Sequence, residues 1–225
     1  MKGRNQEMHR RAFITVASLG AVTGSALLAK KTVAVDQADP LQRLVDGNRR
    51  FVAHRAKRPH QDPARRLEVA KGQKPFAAIL SCADSRVPPE VIFDQGLGDL
   101  FVVRVAGNIA DDAVVGSLEY AVEHLGVKLI FVLGHQRCGA VQAAVDGGKP
   151  EGHIGTLLSA IMPAVEKSKG KSGDKVDNAV RENVHLVEEQ LKGSHPILEE
   201  LLHEHKIRVA GGRYDLDTGA VELVS

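Results

Sequence analysis

Residues 76–81, FAAILS, run directly into Cys82-Ala83-Asp84-Ser85-Arg86. A short run that is almost wholly apolar, with no alternation, reads as a strand buried on both faces. Such strands belong to parallel sheets covered by helices on each side. Leu100–Val105 and Leu129–Leu133 have the same character. Between them, Asp112–His124 places Val115, Leu118 and Val122 on one helical side, and Gly139–Val145 opens another helix after the third strand. Strands alternating with helices predict an α/β domain with a central, mainly parallel β-sheet flanked by helices.

The flanks extend this pattern. Toward the N-terminus, residues 40–55 space Leu41, Leu44, Val45, Phe51 and Val52 as an amphipathic helix, with Gly47 as a weak point. Residues 56–75 are basic and contain proline, which predicts a loop or short helix crossing the surface. Toward the C-terminus, Ile154–Val165 is a helix expected to break near Pro163. Asp174–Lys192 is the clearest helix, with Val176, Val180, Val184, Val187 and Leu191 in one stripe. A short helix from Pro196 to Glu204 leads into a strand at Ile207–Ala210. The turn Asp217-Thr218-Gly219 then returns the chain through Val221-Glu222-Leu223.

The chain has 225 residues, of which 43% are hydrophobic and 26% charged, as in an ordinary globular protein. Its net charge of +2 is unevenly spread. Residues 1–34 carry six basic residues against Glu7 alone, leaving 24 basic and 27 acidic residues in the remainder. That balance excludes a general nucleic-acid or anionic-membrane binder, which needs a basic footprint in the folded domain. Residues 1–34 instead read as an export signal: a basic start ending in Arg10-Arg11, an uncharged stretch from Ala12 to Ala29, and small residues around Thr32-Val33-Ala34. The paired arginines resemble a twin-arginine signal, with cleavage expected after Ala34 and a periplasmic mature protein. An uncleaved membrane anchor is the alternative. Residues 35–225 then form a single domain.

Two features carry chemistry: Cys82-Ala-Asp84-Ser-Arg86 and His135-Gln-Arg-Cys138. Cys82 follows the first buried strand and His135 the third. Parallel α/β sheets gather their sites at the carboxyl ends of strands, so the two segments should converge. Cys138 stands where the next helix begins, and the positive helix end there favours thiolate over thiol. Two thiolates and an imidazole suit Zn²⁺ and leave a fourth position for water. The rival is a disulfide, natural for two cysteines in an exported chain, but it gives Asp84, Arg86 and His135 no task.

From about residue 40 to its end the chain resembles the β-class carbonic anhydrases. The resemblance is carried by SCADSRVPPE (81–90), GDLFVVRVAGN (98–108), GSLEYAVEHLGVK (116–128), GHQRCGAV (134–141) and YDLDTG (214–219). It implies one Zn²⁺ per chain held by Cys82, His135 and Cys138, and reversible hydration of CO₂ to bicarbonate by a zinc-bound hydroxide. It implies that Asp84 and Arg86 form the catalytic dyad beside the open position. Gln73, Phe101, Tyr120 and Gly139 match substrate-pocket positions, the aromatic pair often across a dimer interface. A homodimer or homotetramer follows, with no nucleic-acid partner. Some relatives hydrolyse carbonyl sulfide or carbon disulfide with the same ligands, so the gas stays open on the ligands alone.

Overall fold

Five strands form one sheet in the order β2-β1-β3-β4-β5 in the computed structural model, which describes residues 39–148 and 150–224. They are β1 (Ala77–Ser81), β2 (Leu100–Arg104), β3 (Leu129–His135), β4 (Arg208–Tyr214) and β5 (Val221–Val224). The first four run parallel, with Ala78 of β1 opposite both Phe101 of β2 and Ile130 of β3. Only β5 is antiparallel, on the far side of β4. Every residue of β1 and β3 is buried, which is why both runs are apolar up to their last residues, Ser81 and His135. β2 stands at an edge and is half-buried.

Helices cover both faces, and the period-two alternation of the strands assigns them. Ala77, Ile79, Leu129, Phe131 and Leu133 face helix α1 (Pro40–Val52) and the short α3 (Pro89–Ile92). Ala78, Leu80, Ile130 and Val132 face α4 (Asp112–His124), α7 (Lys175–Lys192) and α8 (Ile197–His203). A third cluster sits at the carboxyl end of the sheet. There Cys82 and Cys138 pack with residues of α5 (Gly139–Asp146), α6 (Ile154–Ser168) and α7. Aspartates start the main helices, as at Asp111, whose carboxylate accepts the Val114 N–H at 2.9 Å, and Asp174, which accepts that of Asp177 at 2.7 Å.

Several details differ from the sequence expectation. β3 continues to His135, so the histidine is the last strand residue rather than the first beyond it. α6 runs through Pro163 without breaking. Pro163 and Ser159 both face solvent, so the carbonyl freed by the missing N–H meets water, while Leu158, Ile161 and Val165 pack inward. Gly47 is a close-packing position rather than a weak point: a Cβ there would stand 1.8 Å from the Phe93 carbonyl oxygen. The surface stretch after α1 holds one short helix, α2 (Pro63–Val69). α3 and the single 3₁₀ turn at Ala106–Asn108 carry too little periodicity to be read in advance. No helix among the described residues is long and apolar enough to cross a membrane. The segment expected to be an export signal, and its expected cleavage point, lie outside those residues.

Candidate metal centre

Cys82 leaves the end of β1, His135 ends β3, and Cys138 is the N-cap of α5. Because β1 and β3 are adjacent and in register, their carboxyl ends bring the three side chains together. One ligand atom from each lies within 4.8 Å of the others, and all three residues are buried. The sulfurs are 3.9 Å apart, nearly twice a disulfide bond length, and both cysteines are free. The disulfide alternative is therefore set aside. Two thiolates at tetrahedral positions on Zn²⁺ would stand about 3.8 Å apart.

His135 supplies the most pointed observation. It is fully buried, and its Nδ1 faces the Gln136 carbonyl oxygen at 2.9 Å. Donation there leaves Nε2 with a free lone pair, and Nε2 has no hydrogen-bond partner. A buried ring nitrogen without a partner costs free energy unless something electrophilic meets it. The two sulfurs beside it are what a soft dication needs. The donor set, the spacing and the orphaned nitrogen all fit Zn²⁺.

The cysteines refine the sequence argument. The Cys82 thiol is pushed down to about 4, chiefly by the hydrogen bond from the Cys138 thiol and against its own burial. Cys138 is pushed up by the same pairing and by burial, with the first N–H groups of α5 pulling the other way. The helix start favours the Cys138 thiolate while the neighbouring sulfur opposes it, and a dication between the sulfurs stabilises both as thiolates.

Asp84 and Arg86 stand beside this centre. Asp84 Oδ1 accepts the Arg86 backbone N–H and Nε, each at 2.9 Å, and Oδ2 accepts Nη2 at 2.7 Å. That fork holds Asp84 down at about 2, against partial burial. Its Oδ2 is 3.8 Å from His135 Nε2, so the carboxylate borders the site while Arg86 occupies both its oxygens. The softer positions are not gathered here within one chain. Gln73 is exposed on the loop after α2. Phe101 and Tyr120 lie against each other, ring centroids 6.3 Å apart, with Tyr120 exposed. Gly139 opens α5 directly after Cys138.

Two supporting groups escaped sequence reasoning. Arg104, at the end of β2, donates from Nε to the Cys82 carbonyl at 3.1 Å and from Nη2 to the Asp84 carbonyl at 2.6 Å. Arg137, at a positive φ of 53°, makes a two-pronged pair with Asp217 at 2.8 Å, tying the His135–Cys138 turn to the YDLDTG segment. Arg104 lies in a strand and reaches the site only through the fold, whereas Arg137 stands between two ligands in the sequence and only its partner, Asp217, is brought by the fold.

Comparison with known proteins agrees with this geometry. Residues 77–221 match the family model described as carbonic anhydrase. Carbonic anhydrase 2 of Mycobacterium tuberculosis is 44% identical over 184 residues, covering 80% of this chain and 89% of the relative. The carbonic anhydrase of Mycolicibacterium smegmatis is 41% identical over 186 residues, covering 81% and 90%. Among solved structures, the Coccomyxa β-carbonic anhydrase in complex with acetazolamide superposes with a TM-score of 0.67 at 31% identity, covering 83% of this chain and 86% of that one. A tetrameric β-carbonic anhydrase of Sordaria macrospora gives 0.68 at 27%, covering 82% and 96%.

Proposed function

This chain belongs to the β-class carbonic anhydrase family and catalyses the reversible hydration of carbon dioxide to bicarbonate and a proton; we propose that it does so with one Zn²⁺ per chain held by Cys82, His135 and Cys138. The observation that carries the ligand assignment is the buried, unpartnered Nε2 of His135 beside two free sulfurs. Zn²⁺ bound there supplies Lewis acidity that brings a water toward ionisation near neutral pH, with a pKa of about 7 in the three-histidine form of this activity and a higher value expected beside two thiolates.

The chain's own residues do the rest. Asp84, ionised at any working pH, can only accept hydrogen bonds, so it takes one from the attacking oxygen and aims that oxygen's lone pair at the carbon of CO₂. Arg86 fixes the carboxylate plane through its fork and keeps Asp84 from turning inward to become a fourth ligand. Arg104 holds the carbonyls on either side of Ala83, so that Cys82 and Asp84 keep their separation. Gln73, Phe101, Tyr120 and Gly139 are the proposed lining of the substrate pocket. The exposed Tyr120 and its Phe101 partner are completed by a second copy in a homodimer or homotetramer.

The mature enzyme is proposed to be periplasmic. Arg10-Arg11 and the uncharged stretch behind it support export in the folded state, which protects both thiols by zinc before they meet an oxidising compartment. Mass spectrometry of the mature N-terminus, with an Arg10→Lys, Arg11→Lys variant, tests this: a mature protein starting at Met1 contradicts it. For the reaction, stopped-flow hydration of CO₂ is run beside carbonyl sulfide and carbon disulfide on the metal-loaded protein, with Cys82→Ser as control. CO₂ turnover well above the control and above both other gases is expected. Activity on a sulfur gas alone would reassign the substrate.

A further inference from the structure

Helix α7 buries two polar side chains among its apolar inner residues, Asn183 and Glu188, and the first of them reaches toward the metal centre. Asn183 stands between Val180, Val184 and Val187 and is only 3% exposed. A buried amide on a packed face destabilises unless its donors are met. Here Nδ2 donates to the Gly107 carbonyl oxygen at 2.8 Å. Gly107 lies in the 3₁₀ turn after β2, at φ 72°, and the next residue, Asn108, is also left-handed at φ 42°. That positive φ favours glycine, and a Cβ would also stand 2.5 Å from Ile161 Cδ1. The same Gly107 sends its N–H to Cys82 Sγ at 3.3 Å. A continuous path therefore runs from α7, through one pinned residue, to a metal-ligand sulfur.

We propose that Asn183 is a positioning residue for the metal centre: by holding the Gly107 carbonyl it keeps the Gly107 N–H on Cys82 Sγ, and so tempers how strongly that thiolate donates charge to the metal. This rests on the zinc-site reading above. An N–H···S hydrogen bond draws electron density from the sulfur, making it a weaker donor and leaving the metal a stronger Lewis acid. The effect is asymmetric, because the direct Gly107 N–H contact is made to Cys82. The alternative, that Asn183 only satisfies a turn carbonyl, predicts lost stability with no change at the metal.

Cobalt(II)-loaded protein separates the two, since its sulfur-to-metal charge-transfer band reports thiolate donation directly. Asn183→Leu and Asn183→Asp remove the donor. Asn183→Gln keeps an amide, and Val187→Ala, one turn along α7, weakens the same packing without touching Gly107. The donor-less variants are expected to move the band to longer wavelength, as the sulfur becomes the stronger donor, and, because Gly107 no longer holds Cys82 Sγ in place, to bind zinc about tenfold more weakly in chelator competition. Asn183→Gln should recover part of both, and Val187→Ala should change neither. If the Asn183 variants lose stability but keep the wild-type band and zinc affinity, the proposal is wrong. Should they fail to fold, the unmutated protein loaded with ¹¹³Cd decides: scalar coupling from the Gly107 amide proton to the metal through Cys82 Sγ supports it, and no coupling overturns it. Wild-type protein that takes up cobalt without any sulfur charge-transfer band would instead refute the zinc-site reading itself.

Discussion

Removing zinc should cost the folded protein a definite amount of stability. His135 is completely buried, and without a metal its Nε2 lacks any partner, a deficit of about 1–3 kcal/mol. The two sulfurs, 3.9 Å apart, oppose each other's ionisation when no cation lies between them. Metal binding to the folded state alone repairs both. At free zinc about a thousandfold above its Kd, mass action contributes about 4 kcal/mol. For a domain of this size each kcal/mol moves Tm by about 2–4 °C, so the apo protein should melt about 8–16 °C lower. The assay is calorimetry at matched protein concentration before and after chelation, with zinc content measured on each sample. A His135→Ala variant completes a cycle. It should abolish the chelator-induced shift, while the relief of the orphaned nitrogen is set against the lost Gln136 contact and the cavity left behind. An apo Tm within 2 °C of the holo value, with zinc shown to have left, would refute the reasoning.

Other consequences follow from the same contacts. Arg86→Ala leaves Asp84 only a backbone donor where it had three hydrogen bonds from that residue, so kcat should fall about 100-fold through misplacement while zinc content is kept. Arg86→Lys should restore only part of it, because an ammonium cannot form the fork; an unchanged kcat in stopped-flow assays would remove Arg86 from the mechanism. Asn48 joins α1 to the chain's final turn by donating to the carbonyls of Ile92 and Gly219 and accepting from the Val221 N–H. At about 1 kcal/mol net per bond, Asn48→Leu should cost about 3 kcal/mol, read as a lower urea midpoint at constant m. Asp215, held down to about 2 chiefly by the Thr218 N–H, and Asp84, also near 2, have folded-state pKa values below their unfolded ones. Their contribution is complete above about pH 4 and disappears as pH falls through 2. Stability should drop across that window, and Asp215→Asn should flatten the drop in acid titrations followed by circular dichroism.

Much of this arrangement is legible in the sequence because burial on two faces leaves a strong signature. The runs at 76–81, 100–105 and 129–133 are strands for that reason, and the gathering of Cys82, His135 and Cys138 follows from parallel strands sharing one end. What is hidden depends on contacts distant in the chain. Arg104 reads as a strand residue, and only the register of β2 with β1 brings it to the carbonyls of Cys82 and Asp84. Asn183 carries no signal in the sequence of α7, and only the fold sets it against Gly107. Pro163 marks a break by local rules, but an exposed Ser159 carbonyl makes the break unnecessary. The pull of the α5 N–H groups on Cys138 is local and legible, whereas the opposing sulfur-to-sulfur contact is not.

Zinc K-edge X-ray absorption on the purified enzyme tests the central assignment most directly, because it counts the ligands by element. Two sulfur scatterers at about 2.3 Å and two nitrogen or oxygen scatterers at about 2.0–2.1 Å are expected, at one zinc per chain. Both sulfur scatterers should go when Cys82 and Cys138 are replaced together by serine. A zinc shell with no sulfur, or a protein that holds no stoichiometric zinc, would contradict the account.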